Sequence, residues 1–407
     1  MKNHRDTHWQ LPDGMDEMLP ERALALEHLR RRIYDLHLSW GYAPVHPPFV
    51  EYLESLLSST GQDFDRQTFK VADPVSGRMM GVRADMTPQV ARIDAHTLGG
   101  EGIKRLFYMG TVIRAYADGV NGQRSPLQMG AELFGHSGIE SDVEVIRLML
   151  ETLACVGVTD VHLDLGHADI FRSIGEALQL TDADQRVVFE LLQTKSEHEL
   201  ARVTASLGIS QSDQNTLCAL CSLNGGASVL TRADELLAGY GDNMCNALQT
   251  LRVIGRQLTD LSAEVTVHYD LAEVRGYQYH NGVVFAAYVP QRGGEIARGG
   301  RYDGIGEIFG SLRAATGYST DLKTLMSVIR SNSEQTSGAI SAPFRGSNDE
   351  SSLALAAQVR QLRAAGETVI TRLPQGAGDK TTDRPADVGC DRQLIEKDGR
   401  WLLEKIK

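Results

Sequence analysis

A chain of 407 residues is too long for one ordinary hydrophobic core and predicts two units. Its hydrophobic fraction of 42% and charged fraction of 23% fit a soluble globular protein, with no long polar, featureless run until near the C-terminus. The formal net charge of −12 repels phosphate backbones on average and disfavours a broad nucleic-acid role. The N-terminus, "MKNHRDTHWQLPDG", lacks the apolar core of a signal peptide. No apolar run approaches the roughly 18 residues that a membrane span needs. Five scattered cysteines, an odd number, predict a reducing, cytoplasmic compartment. Cys218 and Cys221 form one CxxC, but a metal site wants a second pair or nearby histidines, so small buried apolar residues are expected there.

In chain order, "LPERALALEHLRRRIYDLHLSWGY" predicts a helix opening at Pro20 and Glu21, with Leu29, Ile33, Leu36 and Trp40 at helical spacing and Gly41 as its stop. "APVHPPFVEY" is extended, and its prolines suit a sheet edge or an interface. "KVADPVSGRMMGVRADMTPQVARI" reads as a hairpin around a Pro-Val-Ser-Gly turn, then a strand running into a helix at Thr87-Pro88. "KRLFYMGTVIRAY", a polar loop and "LQMGAELFG" form a second hairpin, whose side chains alternate between two faces. Val143, Ile146, Leu150 and Leu153 mark a helix ended by Gly157, and "VHLDLG" is a short strand. From about residue 167 to 261 the pattern is helical, an insertion. The sheet resumes at "EVTVHYDL", continues through "GVVFAAYV" and is expected to end in a loop, "GGEIARGGRYDG", followed by a helix pattern through Val328.

These elements predict an α+β fold, an antiparallel sheet flanked by helices, over residues 1–330. Residues 331–352, rich in Ser, Asn and Gly, read as a linker. Residues 353–407 are a small αβ remnant: one helix, one strand and a hairpin with an Asp-Gly turn.

Three polar clusters fall on strands or strand ends: "GVRADMTPQ", "VIRAY…QRSPLQMGAE", and "EVRGYQYHNG" with "ARGGRYDG". Gln128 and Glu132, four apart on a strand, share a face, and with Asp85 could hold an ammonium group. Arg114 and Arg275 supply the opposite charge for a carboxylate or phosphate. Such convergence suits a free amino acid; simple ion pairing of Glu132 and Arg275 at the sheet rim is the plainer alternative. The Gly-rich "GGEIARGGRYDG" has no phosphate-loop ending, so close backbone packing explains its glycines better.

The stretches "LPDGMDEMLP", "VRADMTPQVARI", "FYMGTVIRAY", "QMGAELFG", "VRGYQYHNG" and "GGRYDGIGE" occur in the order seen in histidyl-tRNA synthetase, which the chain resembles over about residues 10 to 330. The resemblance implies a class II aminoacyl-tRNA synthetase-like fold, usually dimeric across the Pro47-Pro48 region. It implies a histidine pocket in which Thr87, Gln128, Glu132, Arg275 and Tyr302 match family positions. Asp85 stands for a family glutamate. His280, beside Tyr279, stands for a family tyrosine, and Gln278 for an acid. Arg114 matches the arginine on the α-phosphate of ATP. Pro126, however, replaces the phenylalanine that stacks on adenine, and Thr324 replaces the arginine on the γ-phosphate. Lys323 is adjacent but about 100° round the helix.

A synthetase-like body with an eroded ATP site and no room for the usual anticodon-binding domain resembles the ATP phosphoribosyltransferase regulatory subunit family. "LDLGHADIF" and "RGYQYHNG" point the same way. Membership implies a non-catalytic subunit that pairs with a short-form catalytic phosphoribosyltransferase in a hetero-octamer, activates it and transmits feedback inhibition by histidine. The implied effector site is Asp85, Thr87, Arg114, Gln128, Glu132, Arg275, Tyr279, His280 and Tyr302. The ammonium is assigned to Glu132 and Gln128 with Asp85 in support, and the imidazole or carboxylate to Arg275. No cofactor, metal, nucleic acid or membrane is expected. The alternative is an active histidyl-tRNA synthetase or another amino-acid-adenylating paralogue.

Overall fold

The computed structural model describes residues 9–57, 62–117, 122–261, 265–272, 279–305, 312–329, 338–346, 349–373 and 389–406. Helix α1 (Pro20–Ser39) begins at a proline, where a missing backbone donor costs nothing, and buries Leu29, Ile33 and His37 on one side. Next come β1 (Ala43–Pro44), β2 (Val50–Tyr52), and two short helices, α2 (Leu53–Leu57) and α3 (Gln62–Gln67). The expected hairpin follows as β3 (Phe69–Ala72) and β4 (Met79–Val82), with Asp73 accepting from the backbone of Val75 and Ser76 in the turn. Helix α4 (Thr87–Arg92) starts at Thr87-Pro88 and continues into a π-helical turn over 93–98.

Strand β5 (Lys104–Thr111) pairs antiparallel with β6 (Leu127–Phe134). Helix α5 (Ile139–Cys155) ends before Gly157, whose φ of 87° an L side chain rarely adopts, and β7 (Val161–His167) follows. The insertion comprises α6 (Ala168–Ala177), α7 (Asp182–Gln193), α8 (Glu197–Thr204), α9 (Gln211–Leu220), a two-residue edge strand β8 (Asn224–Gly225), α10 (Ser228–Leu237) and α11 (Asp242–Leu261). Cys221 is buried in its core and Cys218 packs at that core's margin.

After β9 (Val265–Asp270) and β10 (Val283–Tyr288), the structure departs from the sequence reading. The Gly-rich stretch is not a terminal loop: it holds β11 (Ala297–Arg301), paired with β10 on one side and with β12 (Ala315–Asp321) on the other. The helix pattern starts only at α12 (Leu322–Val328). Both errors have one cause. Gly299, Gly300 and Gly317 carry no hydrophobic signal, yet they sit in strands because a Cβ at any of them would collide with neighbouring backbone or side chains.

Among the described residues of the first unit, 1–330, one sheet runs in the order β1-β5-β6-β12-β11-β10-β7-β9-β8, antiparallel except for β1 beside β5 and β7 beside β9. Its two faces differ. Met129, Ala131 and Leu133 of β6 point into the main core, shared with α1, α5, α6 and α11. Gln128, Gly130 and Glu132 point to the opposite face, along with Tyr108 of β5, which lies across from Gly130.

The second unit, 331–407, is a four-stranded sheet in the order β14-β13-β15-β16. It is built from β13 (Ala339–Pro343), α13 (Glu350–Ala364), β14 (Val369–Arg372), β15 (Cys390–Lys397) and β16 (Arg400–Lys405). Leu355 and Val359 of α13 pack on Ile340 and Leu394. Asp398 and Gly399 both take positive φ, 49° and 73°, as a two-residue Asp-Gly hairpin turn requires. The stretch 331–352 therefore does more than link: it contributes β13, and α13 begins inside it at Glu350. Among the described residues no helix is long and apolar enough to cross a membrane.

Candidate functional site

The site starts from the two-residue alternation of β6. Glu132 is buried in mid-sheet, opposite Leu106 of β5 and Gly317 of β12. A Cβ at Gly317 would occupy the place of Glu132 Oε2, and one at Gly130 the place of the Tyr108 hydroxyl. The two glycines thus open the space in which a carboxyl and a phenol lie along the sheet.

Tyr108 donates its hydroxyl to Glu132 Oε1 at 2.9 Å and contacts Thr87 Oγ1 at 2.8 Å. Tyr302, from the segment after β11, donates to Glu132 Oε2. Burial pushes the Glu132 carboxyl up to about 8, against the opposing pull of the Tyr302 and Tyr108 hydroxyls, and the nearby charge of Asp85 adds to the rise. Burial also holds Tyr108, Tyr302 and Tyr279 well above the usual phenol range, so all three remain neutral hydroxyls. The Tyr279 ring stacks on Tyr302 with centroids 5.2 Å apart. Its buried hydroxyl finds no hydrogen-bond partner among the described residues. His280 meets Tyr279 edge-on at 5.1 Å and lies over Gly300, where a Cβ would strike its ring.

A second cluster sits four residues along the strand. The Gln128 side chain accepts from the backbone N–H of Met86 at 2.9 Å and donates to Asp85 Oδ1 at 2.8 Å. The same Asp85 oxygen accepts from the backbone N–H of Thr87, also at 2.8 Å. This local turn places Asp85 and Thr87 at the head of α4, facing β6.

Asp85 and Gln128 also border an open cleft of about 590 Å³, together with Arg114 and Pro126. Thr324 reaches this cleft as well. Its hydroxyl donates to Asp321 Oδ2 at 2.9 Å, and its backbone N–H meets the same oxygen at 3.2 Å, capping α12. Lys323 donates its ammonium to Asp16 Oδ1 at 2.5 Å and to the Ser125 carbonyl at 2.7 Å. Neither residue therefore offers a free cation in place of an arginine.

Of the residues singled out in the sequence, Thr87, Glu132, Tyr279, His280 and Tyr302 come together with Gln128 and Asp85 on one sheet face. Arg114 stands apart on the cleft. Arg275 and Gln278 lie outside the described residues. Tyr108 was missed, although the hairpin register carries the signal: a tyrosine on β5 directly across from Gly130 has to share the face of Glu132. The cleft arginines Arg22, Arg292 and Arg298 were missed too, because Arg22 on α1 lies far along the chain from the other two.

A family model described as histidyl-tRNA synthetase matches residues 14–325, and one described as ATP phosphoribosyltransferase subunit HisZ C-terminal domain matches residues 337–404. Curated relatives named ATP phosphoribosyltransferase regulatory subunit include one from Thioalkalivibrio sulfidiphilus, 49% identical over 98% of both chains. Another, from Pseudomonas fluorescens, is 47% identical over 98% of both. Among solved structures, an ATP phosphoribosyltransferase regulatory subunit/histidyl-tRNA synthetase from Bacillus halodurans superposes with a TM-score of 0.80 at 27% identity, covering 92% of this chain and 95% of that one. A histidyl-tRNA synthetase from Nostoc sp. PCC 7120 superposes with a TM-score of 0.77 at 19% identity, covering 95% of this chain and 91% of that one; this likeness concerns the fold alone.

Proposed function

The chain belongs to the family of ATP phosphoribosyltransferase regulatory subunits, built on a histidyl-tRNA synthetase-like body, and on that premise we propose how it regulates. It binds a short catalytic phosphoribosyltransferase subunit, raises its turnover and makes it sensitive to histidine. The partner performs the chemistry, in which ATP and phosphoribosyl pyrophosphate give phosphoribosyl-ATP and pyrophosphate. Self-association as a dimer through the Pro47-Pro48 region and a cytoplasmic location belong to the same proposal.

The observation that carries it is a contrast between two halves of one sheet face. In the half around Glu132 the carboxyl and Gln128 keep their polar partners, whereas the half around Thr324 and Pro126, by the family resemblance, has lost a cation and an aromatic platform. Adenylation depends on fixed cations around a triphosphate. A pocket kept without that chemistry suits binding, and binding coupled to a partner is regulation.

We further propose a different sharing of histidine's groups among these residues. Asp85 and Gln128 border the open cleft, while Glu132 lies behind them among Tyr108 and Tyr302. The ammonium, which must stay paired or hydrated, moves from Glu132 to Asp85 and Gln128. The flat imidazole goes to Glu132, with the open hydroxyl of Tyr279 beside it. The carboxylate faces Arg114, on the cleft side. Titrating this chain into the catalytic subunit, with and without histidine, tests the reading: a rise in turnover and a histidine-dependent fall are expected, and the absence of both would end it.

A further inference from the structure

Arg301 is buried and belongs to none of the groups assigned to a ligand above. Side chains alternate along β11, and Gly300 belongs to the face of Glu132, so Arg301 points to the other side of the sheet, toward α5. There all three of its nitrogens are engaged. Nε and Nη2 donate to Asp142 Oδ2 at 3.1 and 2.9 Å. Nη2 also meets Ser141 Oγ at 2.9 Å and the Gly138 carbonyl at 3.1 Å. Nη1 donates to the His136 carbonyl at 3.3 Å and to Asp303 Oδ1 at 3.2 Å.

These partners fall in two places. His136, Gly138, Ser141 and Asp142 lie where the chain leaves β6, the strand of Glu132, and opens α5. Asp303 follows Tyr302, which lies just past the end of β11. Strand β12 separates β6 from β11, so no ladder bonds join those two strands directly. Arg301 bridges them beyond their ends. The segment around Tyr302 is fixed from other sides as well. Asp303 Oδ1 accepts from the backbone N–H of Ala315 at 2.8 Å, and Asn281 Oδ1 accepts from that of Asp303 at 2.9 Å. A buried ion pair is an inefficient source of stability and is better suited to fixing geometry. The geometry next to this one is the meeting of the Tyr302 hydroxyl with Glu132.

We propose that Arg301 is a positioning residue for ligand recognition, which holds the Tyr302 hydroxyl on Glu132 from the far side of the sheet. The inference rests on the histidine pocket proposed above. With the clamp loosened, Glu132 keeps its side chain but loses a fixed orientation toward the imidazole.

Histidine titrated into the full chain, alongside melting curves, tests this in single variants and in pairs with Tyr302→Phe. Tyr302→Phe should weaken binding about tenfold. Arg301→Lys keeps the charge without the fork and should weaken it by a similar factor. Ser141→Ala removes one acceptor of Arg301, is a small enough change to fold, and should weaken binding about threefold. Both effects should vanish when Tyr302→Phe is already present, because a residue acting through Tyr302 then has nothing to act on. Effects that persist undiminished in that background would make Arg301 a purely structural tie and overturn the inference. So would wild-type affinity in folded Arg301→Lys and Ser141→Ala proteins while Tyr302→Phe binds weakly, a result that leaves the pocket standing. Normal affinity in both Tyr302→Phe and Glu132→Gln would instead remove the pocket, and this inference with it. If Arg301→Lys does not fold, Ser141→Ala decides alone.

Discussion

Replacing Glu132 by glutamine keeps the shape of the side chain and removes its charge. In the folded protein the carboxyl accepts from Tyr108 at 2.9 Å and from Tyr302. A glutamine carbonyl can accept one of these hydroxyls and its NH2 can donate to the other, since a phenol oxygen also accepts. The pocket should therefore remain packed. The change falls on the ligand. A hydrogen bond to a charged partner contributes about 1.5–3 kcal/mol, against about 0.5–1.5 for a neutral pair, so the glutamine loses roughly 1–1.5 kcal/mol. That is about a tenfold weaker affinity for histidine.

Glu132→Ala removes the whole interaction and should weaken binding about tenfold to a hundredfold. It also strips Tyr302 of its acceptor, while Tyr108 keeps Thr87. An orphaned buried hydroxyl costs about 1–3 kcal/mol, so Tm should fall by about 2–10 °C in this variant only. Calorimetry should be run at pH 8, where burial leaves the carboxyl about half ionised. Wild-type histidine affinity in a well-folded Glu132→Gln protein would refute the assignment and leave Glu132 as a brace for the sheet.

Glu132 binds its proton more tightly folded than unfolded, so its stabilising contribution is complete below pH 4.5 and is lost as pH rises toward about 8; Glu132→Gln should flatten that limb in a series of melting curves. His37 and His167, held neutral by burial down to about 4, act in the opposite sense: stability should fall as pH drops from 6.5 through about 4, and constant urea midpoints across that window would contradict it. Gly317→Ala should weaken both folding and histidine binding, because its methyl group takes the place of Glu132 Oε2, and a soluble variant with normal affinity would show that Glu132 is free to move. Histidine-dependent ATP–pyrophosphate exchange should stay at background, since Thr324 is tied to Asp321 and Pro126 offers no ring; a robust rate, lost in Arg114→Ala, would restore the synthetase reading.

What the sequence made legible follows from how far each physical signal reaches along the chain. Gln128 and Glu132 could be put on one face because strand alternation is local and needs only four residues. The Asp398-Gly399 turn was equally plain, since two adjacent positive φ values are a demand few residue pairs meet. Strands β11 and β12 were hidden because their glycines answer to partners elsewhere. Gly300 makes room for His280 and Gly317 for Glu132, and neither reason is visible from the residue itself. Tyr108 was hidden by one further step, the register of β5 on β6, which fixes its neighbour but has no mark in either strand alone. The same logic separates the two halves of the sheet face. The Glu132 side is built from side chains that bond one another, Asp85 to Gln128 and Glu132 to two tyrosines, so each constrains the next. The cleft side draws its lining from α1, the β10–β11 turn, β11 and α12, stretches that lie far apart in the chain. Internal bonds therefore mark the first cluster, whereas the second takes shape only when the chain is folded and distant stretches converge.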